Sequence, residues 1–292
     1  MIKQRLQSLL KRNIIDRIIR DLRFGPEITL HQLSLRNQFR QQPHQAFTDI
    51  GFSVFSEFDE DGILLYLFSV IGPTSRLCLE IGCGDCRENN TTNLIVHHGW
   101  NGLLIDINQT DIDRAGAMFR AARPTKLHPP ALLCQRVDEH NVNRLLASTG
   151  LPMDTVDLLS LDIDSTDLWV LKALEIQPRV IVVEINARWP EGVSRTVARD
   201  ATDAPQSHPD YGMIYGGASL SAFCRVLCGK GYRLIGGNRM GTNAFFMRND
   251  VGADLFPAVP ESQVLGCPRA RAIQKQCAEA LAKYPWVAYE ES

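Results

Sequence analysis

Five short apolar runs recur along the chain with helix-length segments between them: RLCLEIG (76–82), GLLIDIN (102–108), LLCQRVD (132–138), DLLSLDID (157–164) and RVIVVEIN (179–186). Runs this short, rich in Val, Ile and Leu, read as strands buried on both faces. Their alternation with helical segments such as STDLWVLKALE (165–175) predicts a parallel sheet with right-handed crossovers, the doubly wound α/β architecture. The pattern ends differently, because the helical LSAFCRVLCGKGY (220–232) leads into YRLIGG and then, after an Asn/Gly-bearing turn, NAFFMRN (243–249), a closing hairpin.

The flanks carry other signals. Residues 1–52 read as an N-terminal amphipathic basic helix, MIKQRLQSLLKRNIIDRIIRDLRF, and a linker around NQFRQQPHQAF (37–47). Residues 53–250 form the expected catalytic domain. It begins with a helix for which Ser56 is the expected N-cap and Asp61 lies in the first turn. Residues 251–292 carry Pro257, Pro260 and Pro268 before a helical RAIQKQCAEALAKY (271–284) that docks on the domain or on a second copy, so a homo-oligomer stays open. The stretch from Trp189 to Tyr215 exceeds an ordinary connection and reads as a lid.

Composition excludes some partners. The net charge of -2 gives no footprint for broad nucleic-acid binding, so no nucleic-acid partner is expected. No apolar run approaches the roughly 20 residues of a bilayer-spanning helix. Eight scattered cysteines without a cleavable signal pattern point to reduced thiols and a cytoplasmic location. Cys83 and Cys86, and Cys224 and Cys228, are read as a small residue in a turn and a buried helical face rather than zinc ligands.

The chemistry centres on LEIGCGDC. Gly82 and Gly84 follow the first strand, where absent side chains let the backbone turn tightly and approach a ligand. Arg87 stands where a dinucleotide fingerprint needs its third glycine. Glu80 precedes the turn and suits a cationic ligand such as a sulfonium amino acid better than a pyrophosphate. Asp106 ends the second strand, about 20 residues on, where a carboxylate can accept both hydrogen bonds of a ribose diol. Asp138, ending the third run, is placed for an adenine amino group.

Together the strings EDGILLYLF, LEIGCGDCRENNTTNL, GWNGLLIDIN, DLLSLDIDSTDLWVLKAL, KGYRLIG and NAFFMRND resemble a class I S-adenosylmethionine-dependent methyltransferase of the FkbM-like group, over roughly residues 53–250. The resemblance implies a seven-stranded, Rossmann-like sheet with an antiparallel last strand and S-adenosyl-L-methionine as cofactor. It places Glu80, Gly82 and Gly84 at the methionine end, with Asn90 facing the cofactor, Asp106 at the ribose and Asp138 at the adenine. Asp61 is positioned to reach the cofactor amine, although helix-dipole stabilisation accounts for it equally well. The family's Asp/Glu-Gly step after the fourth strand appears here as DIDST.

Asp162 and Asp164 alternate onto one side at the end of the fourth strand, and Glu184 and Asn186 repeat that spacing one strand over. Four oxygen-bearing side chains would then converge beside the methyl group, a composition suited to Mg²⁺ or another divalent cation. The set resembles metal-dependent O-methyltransferases of the catechol type, with Glu-x-Asn in place of their Asp-Asn pair. Asp164, Glu184 and Asn186 are the candidate catalytic residues, and Asp162 doubles as a cofactor contact. The alternative is structural, Asp164 capping a helix and Glu184 holding backbone amides. Tyr215, Gly216, Gly217 and Ser219 offer amides and hydroxyls to a polar acceptor, or Ser219 simply caps its helix. The expected activity is methyl transfer to a hydroxyl of a small molecule such as a natural product or sugar. The alternatives are N-methylation of an amino acid or amino sugar, and a nucleotide-binding module without turnover.

Overall fold

The computed structural model describes residues 23–201, 206–208 and 212–290, so all but the last two residues of the expected basic N-terminal helix lie outside the described residues. The central sheet has seven strands: β1 (Leu77–Ile81), β2 (Asn101–Asp106), β3 (Ala131–Cys134), β4 (Leu158–Leu161), β5 (Val180–Glu184), β6 (Tyr232–Gly237) and β7 (Asn243–Arg248). Their order is β3-β2-β1-β4-β5-β7-β6. The first five run parallel, and β7 is antiparallel to both β5 and β6. This is the doubly wound, mostly parallel sheet with an antiparallel last strand, the Rossmann-like methyltransferase arrangement that the sequence predicts.

Helices α1 (Pro26–Gln41), α2 (Phe47–Ile50), α3 (Glu60–Ile71), α4 (Thr92–His98) and α5 (Gln109–Ala121) precede β3. After it come α6 (Val142–Ser148), α7 (Asp167–Ala173), α8 (Leu220–Gly229), α9 (Glu261–Leu265) and α10 (Pro268–Leu281). Strand alternation divides the core in two. Leu77, Leu79 and Ile81 of β1 pack with α6, α7 and α8 residues such as Leu146, Leu168 and Phe223, while Cys78 packs on the other face with Leu64, Leu94 and Phe119 from α3, α4 and α5.

Two expectations shift. Residues 37–41 of the NQFRQQPHQAF stretch are the end of α1, and only 42–46 form a connection to α2. Phe39 of α1 is buried edge-on against Tyr66 of α3, and Gln32 bonds Asn93 and His98 of α4. His97 and His98, at the end of α4, are buried, and His97 bonds Thr29. The helix before β1 starts with Asp59 as its N-cap; Ser56 still accepts a bond from the Asp61 amide.

The residues after β7 do not form a detached extension. α10 packs on the segment between β5 and α8, where Trp189 and Tyr215 meet Trp286 edge-on and Tyr215 stacks on Tyr284. Val287–Ala288 pairs antiparallel with Arg195–Thr196. The described parts of the expected lid and residues 284–288 thus pack on each other.

Candidate active site

A groove of about 540 Å³ opens at the carboxyl ends of β1, β2 and β4, where the sheet reverses its winding direction and doubly wound folds take ligands. Gly82, Gly84, Asp106, Gln135, Asp162 and Asp164 are among its walls. The two glycines are there for different reasons. At Gly82, with φ +88°, a Cβ would lie 1.5 Å from the Asp162 carbonyl oxygen, so β4 itself demands the missing side chain. At Gly84, with φ +52°, a Cβ would meet nothing within 4 Å, so the space above its backbone belongs to the groove.

Asp106 holds the far side of that turn. Its Oδ2 accepts the Gly84 amide at 2.8 Å and its Oδ1 accepts the Asn108 amide at 2.8 Å. Each carboxylate oxygen keeps further lone-pair capacity, and the side chain lines the groove. The geometry is that of an acid fixed in position yet able to receive a diol.

Other expected cofactor contacts are committed elsewhere. Glu80 shares with Cys78 the face of β1 that meets α4, so alternation turns it away from the strand end. Its oxygens accept the Asn90 amide at 2.9 Å, the Thr91 amide at 3.2 Å and the Thr91 hydroxyl at 2.5 Å. Burial, opposed by these bonds, pushes Glu80 up to about 7. Glu80 therefore fixes the start of α4 and is not among the residues that line the groove. The Asn90 side chain donates to Ser160 Oγ at 3.0 Å and is likewise absent from the groove walls.

Asp61 is engaged through one oxygen: its Oδ2 takes the amides of Val54, Phe55 and Ser56 at 2.7, 2.6 and 3.0 Å, while its Oδ1 is buried without a hydrogen-bond partner. Burial raises it to about 6 in spite of those bonds. It pins the loop before α3. Asp138 lies beyond β3, which ends at Cys134, and its Oδ1 accepts the amides of His140 and Asn141 at 2.9 and 3.0 Å. It caps the approach to α6, and Gln135, Arg136 and Val137 line the groove there instead.

The acids after β4 and β5 do come together. Asp162, Asp164 and Glu184 each offer an oxygen within 4.8 Å of the other two. Strand alternation is not the cause, because β4 ends at Leu161. Asp164 adopts φ +62°, a conformation Asp tolerates better than most residues, and this turn swings its carboxylate back. Asp167, which sequence reasoning passed over, holds the turn by accepting the amides of Ile163 at 2.7 Å and Ser165 at 2.9 Å. Burial pushes Asp167 up to about 6. Its place at the first residue of α7, after Ser-Thr, was the available signal.

Electrostatics mark the trio. Burial, then the charges of Glu184 and Asp164, drives Asp162 well above the usual carboxylate range. Burial, then Asp164, pushes Glu184 up to about 8, and partial desolvation raises Asp164, although its side chain stays exposed. Three carboxylates this close raise the cost of ionising one another, so their titrations are linked. Such a set can retain protons near neutral pH or hold a hard cation through three oxygen ligands.

Asn186 does not join them. Its Nδ2 donates to the carbonyls of Ile214 and Gly216 at 3.3 and 3.1 Å, and its Oδ1 accepts the Arg188 amide at 3.3 Å. The expected fourth ligand instead anchors the covering segment, because the strand ends at Glu184 and the chain turns away. It borders a second, smaller pocket of about 140 Å³ behind Glu184, walled also by Arg188, Gly216, Gly217, Thr242 and Arg269. Ser219 acts as the N-cap of α8, accepting the Ala222 amide at 3.3 Å, and Tyr215 belongs to the aromatic cluster. Groove and pocket therefore meet at the carboxylate trio.

No family model matches the chain, and no curated protein matches it. Solved structures with a similar course of the chain include magnesium protoporphyrin IX methyltransferase from Synechocystis PCC 6803 with bound SAM, at 12% identity over 65% of this chain and 77% of that one, TM-score 0.39. A glycopeptide N-methyltransferase with S-adenosyl-L-methionine is 13% identical over 60% and 87%, TM-score 0.36. A SAM-dependent methyltransferase from Aquifex aeolicus is 13% identical over 72% and 96%, TM-score 0.35. At identities and scores this low, the chemistry of the site rests on its own geometry.

Proposed function

We propose that the protein is an S-adenosylmethionine-dependent methyltransferase that methylates a hydroxyl group of a small acceptor, as the FkbM-like resemblance implies. The observation that carries this reading is the clustering of three carboxylates between a ribose-compatible groove and a second pocket. S-adenosylmethionine supplies the electrophilic methyl group. Asp106 receives the ribose diol, and the open backbone at Gly84 admits the chain of the ligand past the turn. A positive sulfonium beside the trio favours its ionised form, so the cationic cofactor is bound in preference to its neutral product.

The acceptor enters from the Glu184 side. Its hydroxyl oxygen attacks the methyl carbon as the carbon–sulfur bond breaks, the bonding electrons pass to sulfur, and the hydroxyl proton passes to Glu184. A carboxylate raised towards neutral pH is a stronger base than an ordinary one. It must first be deprotonated, so kcat/KM rises with pH through about 8 and levels above it. Methyl transfer to nitrogen uses the same groove, and the acids then orient an amine.

The donor set also fits Mg²⁺ or a similar ion: Asp162, Asp164 and Glu184 would hold it, without Asn186. When bound, such an ion would acidify the acceptor hydroxyl. Thermal unfolding with and without Mg²⁺ or Mn²⁺ decides the matter independently of turnover. A cation site predicts a rise in Tm that Asp164→Asn abolishes; equal Tm values remove it. The function itself is tested by incubating purified protein and labelled S-adenosylmethionine with hydroxylated and amine acceptors. Cofactor binding without methyl transfer to any acceptor would favour the non-catalytic module.

A further inference from the structure

The pocket behind Glu184 carries groups of both charges on its wall. The acid is Glu184 itself, shared with the trio. The bases are Arg188, four residues further along the chain, and Arg269 from the first turn of α10. Gly216, Gly217 and Thr242 also line it, and the Thr242 hydroxyl already accepts a bond from Asn238 at 2.7 Å. The other acid of this pocket, Asp167, is used by two backbone amides.

Arg269 is under-used. Its Nη1 donates to the Met240 carbonyl at 3.3 Å, and among the described residues it makes no ion pair. A guanidinium has five N–H donors in a planar fork that matches a carboxylate with two parallel bonds. The pocket's volume, about 140 Å³, is well below the few hundred Å³ of a drug-sized site, so its occupant is a fragment of a few heavy atoms. A neutral sugar would leave Arg269 without a counter-ion in this pocket.

We infer that the acceptor is a small carboxylic acid bearing its nucleophile a few atoms from the carboxylate, gripped by Arg269 and Arg188 while the nucleophile points at Glu184. This inference rests on the methyltransferase reading for the word acceptor, but the carboxylate site stands or falls by itself. The arginines set which molecule is methylated, the cofactor groove being complete without them. In the reaction, the acceptor O–H or N–H loses its proton to Glu184, an oxygen–carbon or nitrogen–carbon bond forms, and neutral S-adenosylhomocysteine leaves. The carboxylate is unchanged and serves only to orient.

The test uses the full chain and ligand-observed NMR with glycolate, lactate, serine and homoserine, each against its uncharged amide. The carboxylates are expected to bind at least about tenfold more tightly than the amides. Arg269→Gln should erase that preference and Arg269→Lys should keep part of it, while S-adenosylhomocysteine affinity, measured by calorimetry, stays within about twofold. Three results overturn the inference: no carboxylate binds, acids and amides bind alike, or Arg269→Gln weakens S-adenosylhomocysteine as much as the carboxylates, which would give the arginine to the cofactor. Failure of S-adenosylhomocysteine to bind at all overturns the methyltransferase reading instead, and the carboxylate titrations still decide the anion site.

Discussion

Strand β4 has acids at both ends, and they live under opposite conditions. Asp157, just before it, receives the amides of Thr74, Ser75 and Arg76 and the guanidinium of Arg179 at 3.0 Å. Those bonds and that cation overcome the cost of its burial and hold its carboxyl below the usual range. Asp162 and Asp164, just after the strand, face Glu184 and are pushed up. The same residue type is therefore a fastener at one edge of the sheet and a reactive group at the other. What separates them is whether donors or other acids surround them.

Removing the fastener has the largest expected effect on stability. Asp157→Ala strands Arg179 and three amides, and should cost about 3–5 kcal/mol in denaturant unfolding. Its depressed value means that the stabilisation is complete above the unfolded-state value of about 4 and fades as pH falls below that. Stability of Asp157→Ala should hence converge on wild type in acid. A loss that is the same at every pH would show that the site acts by packing alone.

The trio should respond in the reverse sense. Glu184→Gln should lower kcat/KM by roughly 10²–10⁴, the range for losing a general base, and yet raise Tm. Because the trio's folded values lie above the unfolded ones, the native state binds more protons and stability declines as pH climbs from about 4 towards 8. The gain in Tm from Glu184→Gln should thus be larger at pH 8 than at pH 5. If the variant is less stable at both, Glu184 is a structural acid like Asp157 and the contrast collapses.

A smaller effect separates acids that line the groove from acids that only border it. Glu80→Gln should destabilise the protein by about 1–3 kcal/mol, since one amide end would face a donor. Cofactor affinity should remain within about threefold of wild type, because the Glu80 carboxyl is spent on Asn90 and Thr91. Calorimetry on the variant checks this directly.

The parallel part of the sheet was legible because each strand is a short apolar run between helices, and Asp106 because a strand end and a spacing located it. Glu80, Asp61 and Asp138 misled for one physical reason: an acid near a chain turn is surrounded by amides that lack partners, and which acid is claimed by them depends on backbone geometry that sequence does not display. For Glu80 the clue existed, since it alternates with Leu79 and Ile81 and shares the face of Cys78 that meets α4. Asn186 looked like a fourth ligand only while β5 was imagined to run two residues further. Arg269 was invisible for a different reason, as it reaches the site from a helix more than eighty residues beyond Glu184 in the chain.

The central claim is that the groove beside Gly84 and Asp106 holds S-adenosylmethionine with its sulfonium towards the carboxylate trio. Calorimetric titration of wild type and Asp106→Ala with S-adenosylmethionine and S-adenosylhomocysteine tests it most directly. The account predicts binding of both ligands by wild type and a loss of about tenfold or more for both in Asp106→Ala, as expected when a charged hydrogen-bonding partner is removed. It also predicts proton release with the cationic ligand that the neutral one does not produce. Equal affinity in wild type and variant, or no binding by wild type, would contradict it.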